Sequence, residues 1–212
     1  MTSKFFTTFI LILLITISFF QCKKEVEALP IIGPYERIDG DKHYYPVPDF
    51  EVYNQYGDTI QASTFKNSIR IVDFFFTSCP SICPKVQAQM KRINDAFPDK
   101  NQIQFISHSI DTKRDTIQRL AQYATNLGVE QNDNWHFVTG KKDDIFSLAD
   151  DYFNIIIEDE SAPGGYDHSG RIVLVDKEGY IRAFANGLNP KEVNQLILDI
   201  DQLLESYEQI MD

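Results

Sequence analysis

Between residues 69 and 86 the chain reads IRIVDFFFTSCPSICPKV, and this stretch constrains the fold more than any other. Residues 69–77 are nearly all apolar and of strand length, the composition of a strand covered on both faces of a sheet. After Pro84, residues Val86, Met90, Ile93 and Phe97 recur at helical spacing. Pro84 suits a first helical turn, where its missing N–H costs nothing. A buried strand that passes through two cysteines directly into a helix opens an α/β unit.

The remainder extends that unit. QIQFISHSI reads as the next strand, and RDTIQRLAQYATNLG as a helix with Ile117, Leu120, Ala121, Ala124 and Leu127 on one face and Gly128 at its stop. WHFVTG is a short strand and KKDDIFSLADDYF a short helix. EDESAPGGYDHSG, residues 158–170, reads as a polar surface loop long enough to be functional. RIVLVDKEGYIRAFANG is a hairpin around KEG. The final NPKEVNQLILDIDQLLESY is an amphipathic helix that turns Val193, Leu196, Ile197, Ile200, Leu203 and Leu204 inward. Upstream, DFEVYNQYGDTIQASTF predicts a hairpin across YGD. The expected fold is α/β, a central mixed β-sheet flanked by helices with an N-terminal β-hairpin. A cysteine pair between the first buried strand and its helix is the thioredoxin-like placement.

Residues 1–22, MTSKFFTTFILILLITISFFQC, hold one basic residue, Lys4, then an apolar run over residues 5–20. That run is about 16 residues long, shorter than the roughly 20 a spanning helix needs, and reads as an export signal. Its end is like a bacterial lipoprotein signal, with Cys22 as the lipidated residue and Gln21 where a small residue is usual. An uncleaved anchor helix and a plain cleaved signal are the alternatives, and all three export the domain. Residues 23–46, broken by Pro30, Gly33, Pro34, Gly40 and Pro46, read as a tether, and residues 47–212 as one domain. The 31 acidic against 20 basic residues give a formal charge of −11, with no basic cluster to attract phosphate. Nucleic acid is excluded as a partner.

Cys79 and Cys83 are four apart, so on a helical turn their sulfurs share one face, and the helix N-terminus favours thiolates. A thiolate is both a nucleophile and a soft metal ligand. The pair encloses three residues, PSI, where a redox C-x-x-C encloses two. A Cys79–Cys83 disulfide remains geometrically allowed, while the wider spacing suits an ion bridging the sulfurs. A bridge closing so small a loop adds little stability, so the pair is there for chemistry. A third ligand is expected from YDHSG, where a thioredoxin-like sheet brings His168 opposite the cysteines. Two thiolates and an imidazole form a soft set suited to Cu(I), or to Cu(II) with an added oxygen ligand, whereas structural zinc takes four protein ligands. Asp111 and Asp167 are candidate neighbours of the site, Asp167 as an acceptor that orients the imidazole. His43, His108 and His136 are expected in structural roles, the latter two hydrogen-bonded within strands. A thiol peroxidase is disfavoured by Val72 and Phe76, which stand where a proline and a threonine are needed, and no C-x-x-C-H motif exists for a c-type haem.

FTSCPSICP, SIDTKRDT, WHFVTG, YDHS and VDKEGYIRAFANG, in that order, resemble the Sco/SenC family of copper-handling proteins over residues 47–205. The resemblance implies a thioredoxin-like fold, copper held by Cys79, Cys83 and His168, and service in assembling the copper centre of cytochrome c oxidase. The partner is then the oxidase's copper-bearing subunit or another copper protein, met by an exported, membrane-anchored monomer that is not an enzyme. The chain departs from the family at Asp111-Thr112, where aspartate-proline is usual, and in its lipoprotein-type leader. The alternative is a membrane-anchored thiol-disulfide oxidoreductase that keeps a metalloprotein's cysteines reduced, Cys79 and Cys83 cycling between dithiol and disulfide.

Overall fold

A computed structural model describes residues 26–97, 102–129 and 134–211; the leader, with Cys22, lies outside the described residues. Along the chain, β1 (Tyr35–Ile38) and β2 (Asp41–Tyr44) form a hairpin, and β3 (Glu51–Asn54) and β4 (Thr59–Gln61) a second. There follow β5 (Ile69–Phe75), α1 (Cys83–Ala96), β6 (Ile103–Ser109), α2 (Ile117–Leu127), β7 (Trp135–Thr139) and α3 (Lys142–Asp151). The chain ends with β8 (Ile156–Glu158), β9 (Tyr166–His168), β10 (Arg171–Val175), β11 (Ile181–Asn186) and α4 (Pro190–Met211).

Seven strands form the central sheet in the order β11-β10-β5-β6-β7-β3-β4. It is mixed: β5, β6 and β7 run parallel, and the remaining pairings are antiparallel. Every residue of β5 is buried, as its apolar run requires of a strand covered on both sides. Its pleat serves two layers. Asp73 and Phe75 point toward α1 and α2, where Gln87 Nε2 donates to Asp73 at 2.6 Å and the Phe75 and Tyr123 rings lie 5.2 Å apart. Phe74 points the other way, stacked on His108 at 5.0 Å and edge-on to Tyr152 just beyond α3. Helix α4 packs on β11 and α1 and buries Val193, Leu196, Ile200 and Leu203.

Local chemistry sets the ends of α2. The Thr116 side chain accepts the Arg119 N–H as N-cap, and Gly128 stops the helix at φ +77°. Leu120 and Ala124 face inward, but Ile117, expected on the same face, is exposed at the first turn beside Gly57.

Two segments differ from expectation. Residues 158–170 are not wholly loop: β8 and β9 pair antiparallel, with Ile156 opposite His168 and a turn through Gly164 and Gly165 at φ +88° and +92°. Residues 26–46, read as a tether, touch the domain on both sides of an exposed hairpin. Ile32 N–H donates to the Ile181 carbonyl and Val47 N–H to the Gly179 carbonyl, each at 2.9 Å. Between these contacts Asp39-Gly40, both at positive φ, turn the β1–β2 hairpin. Backbone pairing and a two-residue Asp-Gly turn need no apolar periodicity, so the hairpin is invisible to a search for one.

Candidate metal centre

Strand β5 delivers the chain to the site through Phe76, Thr77 and Ser78. Thr77 is tied down by Asp115: its N–H donates to the Asp115 carboxylate at 2.9 Å and its hydroxyl at 2.5 Å. Ser109, at the end of the neighbouring β6, donates to the same carboxylate at 2.7 Å. Arg119 Nε donates to the Thr77 hydroxyl at 2.7 Å. The loop therefore leaves the sheet in one direction, and the Cys79 N–H returns to the Phe76 carbonyl at 3.2 Å.

Helix α1 begins at Cys83 with Pro84 in its first turn. The Cys83 N–H, one of the donors a helix start leaves without a partner, points at the Cys79 sulfur at 3.5 Å. Burial alone would raise the Cys79 thiol's pKa, but hydrogen bonds from the Cys83 and Ser81 backbone and side chains outweigh it and hold the value below the ordinary one. Burial pushes the Cys83 thiol well above its ordinary value, and the nearby Cys79 and Asp73 push the same way. The pair is thus asymmetric: Cys79 ionises first and Cys83 keeps its proton.

His168 arrives from β9. Its Nε2 lies 3.3 Å from the Cys83 sulfur, and its Nδ1 lies 3.2 Å from the Ser169 carbonyl oxygen. A carbonyl can only accept, so Nδ1 carries the proton and Nε2 presents its lone pair to the sulfurs. Burial holds the imidazole below its ordinary pKa, against smaller upward pulls from the Ser169 carbonyl and Asp167. The ring is neutral, as a metal ligand must be. Cys79, Cys83 and His168 are all buried, and their ligand atoms lie within 4.8 Å of one another. Among the described residues this is the one group of three or more metal-ligating side chains so placed. Two soft sulfurs and one imidazole fit a monovalent copper ion without further protein ligands.

The two carboxylates expected nearby are turned elsewhere. Asp111 is buried but engages the Arg114 side chain and accepts the Arg114 N–H at 3.3 Å. Asp167 is exposed on β9, and the acceptor on the imidazole is the adjacent carbonyl, because neighbours on a strand point to opposite faces. Arg114 extends the Asp111 contact outward and donates to the Gly164 carbonyl at 2.7 Å. Gly164 lies flat on Phe76: a Cβ there would meet the Phe76 ring at 2.5 Å. The Phe76 ring in turn meets Tyr166 at 5.4 Å and His168 at 5.6 Å. Phe76, Asp115, Gly164 and the Ser169 carbonyl are site-building groups that sequence reasoning missed; the paired glycines in an otherwise polar loop were the available signal.

His108 also differs from expectation. It is fully buried, yet neither ring nitrogen has a protein hydrogen-bond partner. Burial lowers its pKa to about 3, so it serves as a neutral aromatic between Phe74 and Phe50. His136 does make a side-chain contact, to Gln104 at 3.3 Å.

Fold and site together define a class: a thioredoxin-like domain whose helix-start cysteines and a strand-borne histidine form a three-ligand metal cradle. The family model described as SCO1/SenC matches residues 39–205, and the chain belongs to that family. The SCO1 protein homolog of Bacillus subtilis is 28% identical over 158 residues, covering 74% of this chain and 81% of that protein. Among solved structures, BsSco, a member of the Sco family of cytochrome c oxidase assembly proteins in which a disulfide switch is identified, superposes with a TM-score of 0.68. It is 24% identical and covers 84% of this chain and 98% of its own. Arabidopsis thaliana ScoI with copper bound gives a TM-score of 0.63 at 21% identity, over 74% of this chain and 99% of its own.

Proposed function

We propose that this protein is an exported, membrane-anchored copper chaperone that binds one copper ion through Cys79, Cys83 and His168 and delivers it to a copper-bearing subunit of cytochrome c oxidase. The observation that carries this reading is the convergence of three copper-compatible ligand atoms, from segments 85 residues apart, within 4.8 Å. A site held by two sulfurs from one turn and an imidazole from another hairpin can be dismantled one ligand at a time. Copper is the cargo, and transfer by ligand exchange needs such a step. The copper bound to Arabidopsis ScoI and the oxidase-assembly role of the BsSco family support the reading.

The test is Cu(I) titration of the reduced protein against a competing chelator, with transfer then followed to the apo copper domain of the oxidase subunit. One copper per chain is expected, with affinity collapsing in Cys79→Ser and Cys83→Ser, falling substantially in His168→Ala, and metal passing to the apo domain. An unchanged affinity in all three variants overturns the site.

One observation favours a second reading. The asymmetry of the thiols, Cys79 ready to ionise and Cys83 protonated, is what a dithiol needs to reduce another protein's disulfide. In that exchange the Cys79 thiolate attacks one sulfur of the partner's disulfide, Cys83 gives up its proton and resolves the mixed disulfide, and the partner leaves with two thiols, the second proton coming from solvent, while Cys79 and Cys83 end as a disulfide. Persistence of disulfide exchange in His168→Ala alongside parental copper binding would favour it over copper delivery.

A further inference from the structure

The segment from Val26 to Val47 attaches to one pole of the domain. The Val26 N–H donates to the Gln209 side chain at 3.1 Å, and Gln202 Nε2 to the Glu27 carbonyl at 2.6 Å. Arg182 binds the Leu29 carbonyl, and the Ile32 and Val47 N–H groups reach Ile181 and Gly179. These partners surround the β10–β11 turn and the C-terminal half of α4. That turn lies at the beginning of β5: Val175 pairs with Arg70, and a Cβ at Gly179 would touch both Pro46 and Arg70. Cys79 and Cys83 follow the opposite end of β5. The first turn of α4, through Glu192, lines a groove of about 400 Å³ with His168 and Ile82. Chain entry and metal cradle thus occupy opposite ends of the molecule, separated by the 22 residues of α4, about 33 Å of helix.

The entry pole also carries the β1–β2 hairpin, which the domain does not cover. The register puts Tyr35, Arg37, Lys42 and Tyr44 on one face; Tyr35 is 47% exposed, and the Lys42 ammonium lies 4.6 Å from the Tyr35 ring centroid and 5.9 Å from that of Tyr44. Side chains with an apolar body and a polar tip, beside a basic residue, are those that settle at a membrane–water interface. Only three residues separate Cys22 from the first contact at Val26, a span of at most about 14 Å when extended. An anchor at the leader therefore keeps this pole close to the bilayer surface. Arg37 and Lys42 are outnumbered by Glu36, Asp39 and Asp41, so the hairpin lacks the polybasic charge that selects anionic lipid.

We propose that the face of the β1–β2 hairpin that carries Tyr35, Arg37, Lys42 and Tyr44 is a membrane-resting surface, which seats the two tyrosines in the headgroup layer and holds Cys79, Cys83 and His168 about 30 Å above the bilayer. The inference rests on the reading of residues 1–22 as an anchor. It assigns the partner a geometry: the receiving site is carried on a domain that stands off the membrane by a similar height, and the chaperone meets it with its distal pole.

The test is limited trypsin digestion of the full-length protein in vesicles of phosphatidylcholine and phosphatidylglycerol, compared with the same protein in detergent. Arg37 and Lys42 report on the hairpin, and Lys113, in the exposed turn after β6, reports on the end that carries the ligands. Cleavage at Arg37 and Lys42 is expected to slow roughly tenfold on vesicles, because only the lifted fraction can be cut, while Lys113 is cut equally in both. Tyr35→Ser/Tyr44→Ser is expected to restore the detergent rate with the protein still sedimenting with the vesicles. Equal hairpin cleavage in vesicles and detergent, or protection at Lys113 instead, overturns the proposal with the anchor reading intact. Failure of the parent protein to sediment with vesicles overturns the anchor reading, and this inference with it.

Discussion

The two halves of the metal cradle are built to different standards. The cysteine half grows from the most buried strand and is fastened from below by Thr77 in the loop after β5, Ser109 at the end of β6, the buried Asp115 just before α2 and Arg119 on α2. The histidine half is a pair of three-residue strands, with Ile157 inside β8 53% exposed and Ile155 just before it 61% exposed. It is pinned at points: Arg114 to Gly164, Gly164 on Phe76, and Ser169 to Ile155 and Asn154. Segments with few buried contacts open locally at low cost, whereas core strands open only with the whole domain. The contrast teaches that the proposed copper site would pair two fixed sulfurs with a detachable imidazole, so that release would begin at His168.

The largest effect should come from the fixed half. Cys83→Ser replaces a soft ligand with a hard hydroxyl at a position that cannot shift to compensate. A Cu(I) affinity loss of roughly a thousandfold or more is expected, read by chelator competition. A loss no greater than that of His168→Ala would break the contrast.

The fixed half should also govern global stability through two buried groups on either side of β5 and β6. Burial raises the Asp73 carboxyl to about 7 despite hydrogen bonds from Ser107 and Gln87, so the folded chain keeps a proton that the unfolded chain loses above its ordinary 3.8. That contribution is full below pH 3.8 and is gone once the pH has risen through 7. His108 acts in reverse: folded at about 3 against 6.5 unfolded, it favours the native state above 6.5 and loses that contribution as pH falls toward 3. Between pH 4 and 6.5 the two slopes oppose each other, each about 1.4 kcal/mol per pH unit. Urea unfolding of His108→Phe should therefore lose stability relative to the parent as pH rises through this window, and Asp73→Asn should gain it. Parallel pH profiles in both variants and the parent would remove the argument.

The detachable half should respond to Gly164→Ala. A methyl at φ +88° that would lie 2.5 Å from Phe76 must lift the turn, and the ring of Phe76 is what supports His168. Copper affinity should fall about tenfold to a hundredfold through 1–3 kcal/mol of local strain. The global unfolding transition should move little, because the hairpin is not part of the core. An equal fall in thermal stability would mean that the two halves are one unit.

The fixed half was also the legible one. Its strand is written in the run from Ile69 to Thr77, its helix in the spacing of Val86, Met90 and Ile93, and its ligands in their cysteine spacing, because burial and periodicity are properties of neighbouring residues. His168 could be singled out as a residue, but not the means by which it is held. Arg114 meets Gly164 across 50 residues, and Phe76 meets His168 across the sheet end, pairings that no local pattern encodes. The hairpin at Tyr35–Tyr44 was hidden for a related reason: it buries no apolar face, so nothing in its sequence alternates.

The smallest predicted effect discriminates between two supports for the imidazole. A carboxylate acceptor at Asp167 would raise the basicity of His168 and hold its tautomer, and its loss would cost about tenfold to a hundredfold in metal affinity. The Nδ1 proton instead goes to the Ser169 carbonyl at 3.2 Å, an acceptor that no side-chain substitution removes, and Asp167 acts only through space from an exposed position. Solvent screens such an interaction to a fraction of a kilocalorie. Asp167→Asn should therefore change Cu(I) affinity by less than about twofold at physiological ionic strength, where the Debye length is near 8 Å, with a somewhat larger change at low salt. A tenfold loss that persists in high salt would mean that the aspartate swings in when copper binds, and that the detachable half is rebuilt by its own cargo.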